Sequence, residues 1–224
     1  MKRALTGFFL ICSLIPAAAE QTTDDFESGN PNDWMWVGGA SNPVIKTSGG
    51  NRDSWFDSGT NYSSEQPGVG TFPPSGSTLL AALTSGSIVA VSFDFKRLDP
   101  GSCSPQSNDP ANFALTFIDT HSSGDGGFIQ ATYVGDESPG DAADWTAHTF
   151  FIDSRSTSVP DGWLLSGAPD RYTWADLMRN IDGIKISAVD PNSLNHRLCY
   201  RLGFDNIVVN YGNAIFSNGF DATP

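Results

Sequence analysis

Cysteine is scarce in this chain of 224 residues: there are three, Cys12, Cys103 and Cys199. With only three scattered histidines beside them, His121, His148 and His196, they cannot build the Cys/His clusters of a structural zinc site. Basic residues are also few, 12 Lys and Arg against 25 Asp and Glu, for a formal net charge of −13. A surface of that sign repels phosphates, so nucleic acid is excluded as a partner. Long apolar runs are missing too. The run Phe8–Ile15 is too short to cross a hydrocarbon core about 30 Å thick, and no membrane span is expected. Glutamate is confined to Glu20, Glu27, Glu65 and Glu137, so no pair of glycosidase carboxylates stands out. There is no G-x-S-x-G nucleophile elbow, and the glycine-rich stretch Ser122–Gly127 lacks the lysine of a phosphate-binding loop. No catalytic residue is assigned, and the chain is not expected to be an enzyme.

The first nineteen residues have the shape of an export signal. Lys2 and Arg3 give a positive start, Phe8–Ile15 an apolar middle, and Ala17-Ala18-Ala19 small residues for cleavage before Glu20. Cys12 lies inside the apolar run rather than just after the cleavage site, which disfavours a lipid anchor. Removing Lys2 and Arg3 leaves 10 basic against 25 acidic residues, a net charge near −15. The expected location is therefore secreted, periplasmic or at the cell surface. Acidity of this degree serves solubility, and it is also common where carboxylates hold calcium. Export to an oxidising compartment allows Cys103 and Cys199 to form one disulfide, which would stabilise by about 4 kcal/mol across so long a loop. No linker or internal repeat divides the rest, so residues 20–212 read as one domain and 213–224 as a tail.

Alternation is the dominant pattern in the remainder. In Ile88–Leu98, Val89, Val91, Phe93 and Phe95 fall on one side, with Ala90, Ser92, Asp94 and Lys96 on the other. This is the two-residue period of a half-buried strand. Phe113–Asp119, Phe128–Val134, Thr146–Ile152, Ile184–Val189 and Leu202–Val209 behave alike, separated by Gly, Pro, Ser, Asn and Asp clusters. Trp174, Leu177, Met178 and Ile181 instead recur at three and four. They predict one short helix within Tyr172–Ile181, capped by Thr173 or Asp170 and ended by Gly183. The fold class is all-β, an antiparallel jelly-roll β-sandwich with one short helix.

Several of these residues carry a family resemblance. Asp25-Phe26-Glu27-Ser28-Gly29 with Asp33-Trp34 resembles the opening of many jelly-roll domains, and Trp55-Phe56-Asp57 and Val91–Phe95 resemble laminin domain IV (laminin B). So do Asp144-Trp145-Thr146, the Trp174–Ile181 segment and Gly203-Phe204-Asp205-Asn206-Ile207-Val208-Val209. The order matches along nearly the whole mature chain. That family is similar in turn to galactose-binding-like sandwiches and carbohydrate-binding modules. The tail Ile215–Asp221 resembles the I-F-x-x-G-F-E/D ending of many exported gammaproteobacterial proteins.

The resemblance implies a structural calcium ion. In such modules a Glu on the first strand and an Asp on the last share one ion, and the matching positions are Glu27 and Asp205, with Asp25, Asp53 and Asn206 as secondary candidates. Adjacent carboxylates repel unless a cation separates them, and Ca²⁺ takes six to eight oxygens. For a ligand, exposed aromatics that stack on sugar rings point to Trp34, Trp36, Trp55 and Tyr62, whereas Trp145 and Trp174 read as core. His121, His148 and His196 read as surface or interface residues. The expected function is an exported, non-catalytic binding module for a glycan or polysaccharide. A structural or adhesion protein of the cell surface, binding extracellular proteins, is the alternative, and a glycan-cleaving enzyme the second.

Overall fold

The structure, a computed structural model, describes residues 20–29, 34–37, 44–59, 67–98, 111–120, 128–140, 144–167, 171–192, 198 and 201–212. The leader, Asp33, Tyr62, Cys103, His121, Ser122–Gly127, Asp170, His196, Cys199 and the tail lie outside the described residues.

Two six-stranded antiparallel sheets make a sandwich. One runs β3 (Val44–Lys46), β4 (Trp55–Asp57), β12 (Arg201–Tyr211), β6 (Ile88–Leu98), β9 (Thr146–Phe151), with β1 (Glu20–Asp24) pairing the second half of β12. The other runs β10 (Trp163–Ser166), β8 (Ile129–Val134), β7 (Asn112–Asp119), β11 (Gly183–Val189), β5 (Gly68–Thr71), β2 (Met35–Val37). The first and last described strands are therefore hydrogen-bonded neighbours, with Asp24 opposite Ile207.

The alternation supplies the core. Val91, Phe93 and Phe95 of β6 are buried, and the Phe93 ring lies 5.1 Å from Phe113 of the facing sheet, 5.8 Å from Phe204 and 6.1 Å from Phe150. Each such side chain contributes about 1.5–3 kcal/mol by leaving water. The inward set starts at Val91, not at Val89 as the alternation predicts. A register shift opposite Asn210 and Tyr211 turns Ile88 inward and leaves Val89 half-buried. In β7 the centre is buried on both faces, with Ala114 and Thr116 as well as Phe113, Leu115 and Phe117.

The described residues hold two helices rather than the one expected. The anticipated one is α2 (Trp174–Asn180). Thr173 and Asp176 form a reciprocal capping box there, and Trp174, Leu177 and Met178 are buried. Ile181 caps its end, and Gly183 instead opens β11. The unexpected one is α1 (Thr78–Leu83), whose N-cap Ser77 accepts from Leu80 N at 3.1 Å. Too short to show helical periodicity, it is held by burying Ala82 and Leu83. A glycine decides how closely β5 approaches β11: a Cβ on Gly68 would stand 2.2 Å from the Ile186 carbonyl oxygen.

Candidate functional site

Two features of the first sheet concentrate polar chemistry. The first begins with a bulge in β12. Asp94 of β6 is paired with Asp205, but the next partners are Ser92 and Val208, so Asn206 and Ile207 bulge against one residue. Asn206 takes a positive φ of 46°, a conformation asparagine tolerates better than most residues. Its backbone N–H donates to Asp205 Oδ1 at 2.8 Å, and its side-chain amide donates to Asp94 Oδ2 at 2.8 Å.

The connection between β3 and β4 lies over this bulge. Trp55 Nε1 donates to Ser48 O and Trp145 Nε1 to Gly49 O, each at 3.0 Å. So anchored, Asn51 donates its backbone N–H to Asp205 Oδ2 at 2.8 Å and its side-chain amide to Asp94 Oδ2 at 2.6 Å. Asp205 is thereby fully buried. From the other side, Ser54 N donates to Glu27 Oε1 at 3.0 Å. Glu27 reaches it from a turn in which buried Phe26 adopts φ 55°, an outlier for so large a residue, with its ring held 5.8 Å from Phe56.

Three carboxylates, Glu27, Asp94 and Asp205, thus converge. The basic side chains of β3 and β12, Lys46 and Arg201, both pair with Asp57 instead, at 3.8 and 2.5 Å. Burial pushes the Asp205 carboxyl up to about 6. The Asp94 and Glu27 charges add to the rise, while the N–H groups of Asn51 and Asn206 oppose it. A Cβ at Gly50 would meet Asp53 O and Ser54 O at 2.9 Å and Asp205 Oδ2 at 3.1 Å, so only glycine lets these three oxygens and the chain come so close together. Among the described residues no three His, Cys, Asp or Glu side chains are arranged to hold a metal on their own. The donors present are hard oxygens, two of them main-chain carbonyls. That is the chemistry of calcium rather than zinc, and in that sense the residues fit the ion.

The second feature is a cleft of about 340 Å³ between β1, α1 and the Trp34 segment. Its wall combines hydroxyls (Thr22, Thr23, Ser77, Thr78) with the Asp24 carboxylate and an apolar surface that includes Trp34, Leu79 and Ile207. Trp34 Nε1 donates to Asp24 Oδ2 at 2.7 Å, and the Thr22 and Thr78 hydroxyls are hydrogen-bonded at 3.2 Å.

No family model matches the chain, and no curated protein matches it. A solved structure resembling it is that of a "putative glycoside hydrolase" from Bacteroides thetaiotaomicron VPI-5482, with 8% identity and a TM-score of 0.39. The match covers 77% of this chain and 57% of that one, little over half its length. A likeness at this level carries no argument about fold or chemistry.

Of the ion candidates, Glu27, Asp205 and Asn206 come together. Glu27 sits in a turn after β1 and not on the strand as expected, because the chain reverses at Phe26. Asp25 accepts from Glu27 N at 3.2 Å and so shapes that turn. Asp53 offers its carbonyl, while its own residue is exposed. Two members of the cluster, Asp94 and Asn51, escape a reading of the sequence. Asp94 is signalled only by being an acid on the polar side of the clearest strand, and Asn51 by nothing local. Of the aromatic candidates, Trp34 and Trp55 are buried, not exposed stacking faces. Trp34 is drawn in by Asp24, and Trp55 packs over Gly203 and edge-on to Trp145. Trp36 lies on β2 opposite Val69. Trp174 is core as expected, whereas Trp145 is half-exposed. His148 is no surface residue. Its ring packs among Phe93, Phe113 and Phe150, its Nδ1 bonds Glu137, and its Nε2 is buried without a partner.

Proposed function

We propose that this protein is an exported, non-catalytic binding module that takes a glycan, with calcium as a structural ion. The observation that carries the reading is the cleft of about 340 Å³ beside β1, in which hydroxyls and one carboxylate face an apolar wall. Sugars are amphipathic in the same sense, with hydroxyl edges and C–H faces, and sites of this kind need few well-placed polar groups on an apolar lining. Among the described lining residues Asp24 is the single carboxylate, whereas glycoside hydrolysis uses two, about 5 to 10 Å apart. Export rests on the leader-like residues 1–19.

The calcium would be held by the Glu27 and Asp205 carboxylates and the Asp53 and Ser54 carbonyls, with Asp94 behind them. Its charge would offset their mutual repulsion and fix the connection between β3 and β4 over the sheet. A second reading, an adhesion protein that pairs with other proteins, is favoured by β9. It is an edge strand among the described residues, carries no Lys, Arg, Asp, Glu or Pro, and leaves Phe151 72% exposed.

A glycan array probed with the mature protein, with and without calcium, tests the proposal. Retention of a defined set of glycans, released uncleaved, is the expected result. An empty array together with self-association through β9 would overturn it in favour of adhesion.

A further inference from the structure

The cleft's walls differ in charge from what an acidic sugar needs. Among the described residues its lining holds Asp24 and four hydroxyl-bearing residues but no Lys, Arg or His. Asp24 is fixed from behind by the Trp34 indole, which donates to its Oδ2 at 2.7 Å. A carboxylate held this way accepts hydroxyl donors strongly and repels a second carboxylate. The net charge of −13 on the whole chain adds to that repulsion at longer range. The cleft is also small. About 340 Å³ lies at the low end of small-molecule sites, with Pro73 and Pro74 on one side and the linked Thr22 and Thr78 on another.

Resting on the glycan reading above, we infer that this cleft is a subsite for a single sugar residue that bears no negative charge, and that Asp24 is the residue that excludes uronic acids. The sugar's hydroxyl edge meets Asp24, Thr22 and Thr78, and its C–H face lies on Leu79 and Pro74, the accessible apolar part of the lining, with Trp34 and Ile207 buried behind. Asp24 acts twice: it accepts hydroxyls from the neutral sugar, and its charge rejects the acid.

The test compares probes that differ at one carbon: glucose against glucuronic acid, and galactose against galacturonic acid. Affinities are read by calorimetry and protein NMR at pH 7 on the mature protein. One neutral sugar is expected to bind at least tenfold more tightly than its uronic acid, with shifts at Thr22, Asp24 and Thr78. Asp24→Asn keeps an oxygen for the Trp34 N–H while giving up the longer contact from the Phe26 N–H at 3.4 Å; with its melting temperature checked against the wild type, it should shrink the ratio to within about threefold. Thr78→Val, at an exposed position, should weaken the neutral sugar several-fold while the melting temperature stays unchanged. Equal or tighter binding of the uronic acid, or shifts confined to another surface, overturns the inference and leaves glycan binding standing. If no sugar binds and the array is also empty, both fall.

Discussion

Asp94 and Asp205 stand directly opposite each other on β6 and β12, and among the described residues neither is ion-paired with a basic side chain. Like charges so placed oppose strand pairing. The fold retains them by surrounding both with the N–H groups of Asn51 and Asn206. How strongly the pair strains the sheet depends on the charge state of Asp205.

A carboxyl that titrates near 3.8 in the unfolded chain and at about 6 in the fold binds its proton more tightly when folded. Its contribution to stability is therefore fully present below about pH 3.8 and is lost as pH rises from there through about 6. A tenfold change in proton affinity is worth about 1.4 kcal/mol, so the full loss from below pH 3.8 to above pH 6 is on the order of 3 kcal/mol, roughly half of it above pH 5. Urea denaturation of metal-free protein at pH 5 and pH 7.5 should show the wild type losing about 1–1.5 kcal/mol more than Asp205→Asn. Identical losses in both proteins would refute the assignment.

Calcium should reverse this penalty. A ligand at a hundred times its dissociation constant adds about 2.7 kcal/mol, which corresponds to a rise of roughly 5–10 °C in a domain of this size. The increase should vanish with chelator and be absent in Glu27→Gln and Asp205→Asn. A wild type that melts at the same temperature with and without calcium disproves the ion site.

Asp57 is buried, and Arg201 engages it through Nε at 3.0 Å and a terminal nitrogen at 2.5 Å. Arg201→Met should cost about 1–3 kcal/mol by leaving the buried carboxylate only Lys46 at 3.8 Å and the Gly59 N–H at 2.9 Å, and the Arg201→Met/Asp57→Leu double variant should recover most of it. Equilibrium unfolding of the three proteins measures the difference, and a double variant no better than the single would contradict it.

Phe93 packs on Phe113 of the facing sheet and on Phe150 and Phe204 of its own. Phe93→Ala should destabilise by about 3–5 kcal/mol, whereas Phe151→Ala, on an exposed ring, should change stability by less than about 0.5 kcal/mol. Comparable losses in the two would show that the alternation of burial is misassigned.

Much of the sandwich was legible because long strands repeat their pattern. From Val91 to Phe95 the sequence alternates without interruption, and its inward side is the observed one. The strands Val44–Lys46 and Gly68–Thr71 are three and four residues long, and a Gly-Val-Gly-Thr segment reads locally as a turn. They become strands only because neighbours supply hydrogen-bond partners, which no local pattern records. The same holds for the acidic cluster. Glu27 and Asp205 came from a resemblance, but Asp94 and Asn51 join them only through strand register and a connection that crosses the sheet. The tryptophans misled for a related reason: Trp34 and Trp55 stand beside polar residues in sequence, yet their indole N–H groups find internal acceptors and carry the rings inward.

The claim that the cleft beside β1 is where this module takes its glycan is tested most directly by a crystal structure of the mature protein soaked with a glycan retained on the array. The account predicts one sugar residue between β1 and α1, with a hydroxyl within hydrogen-bond distance of Asp24. A glycan bound intact on any other surface, with this cleft filled only by water, would contradict it.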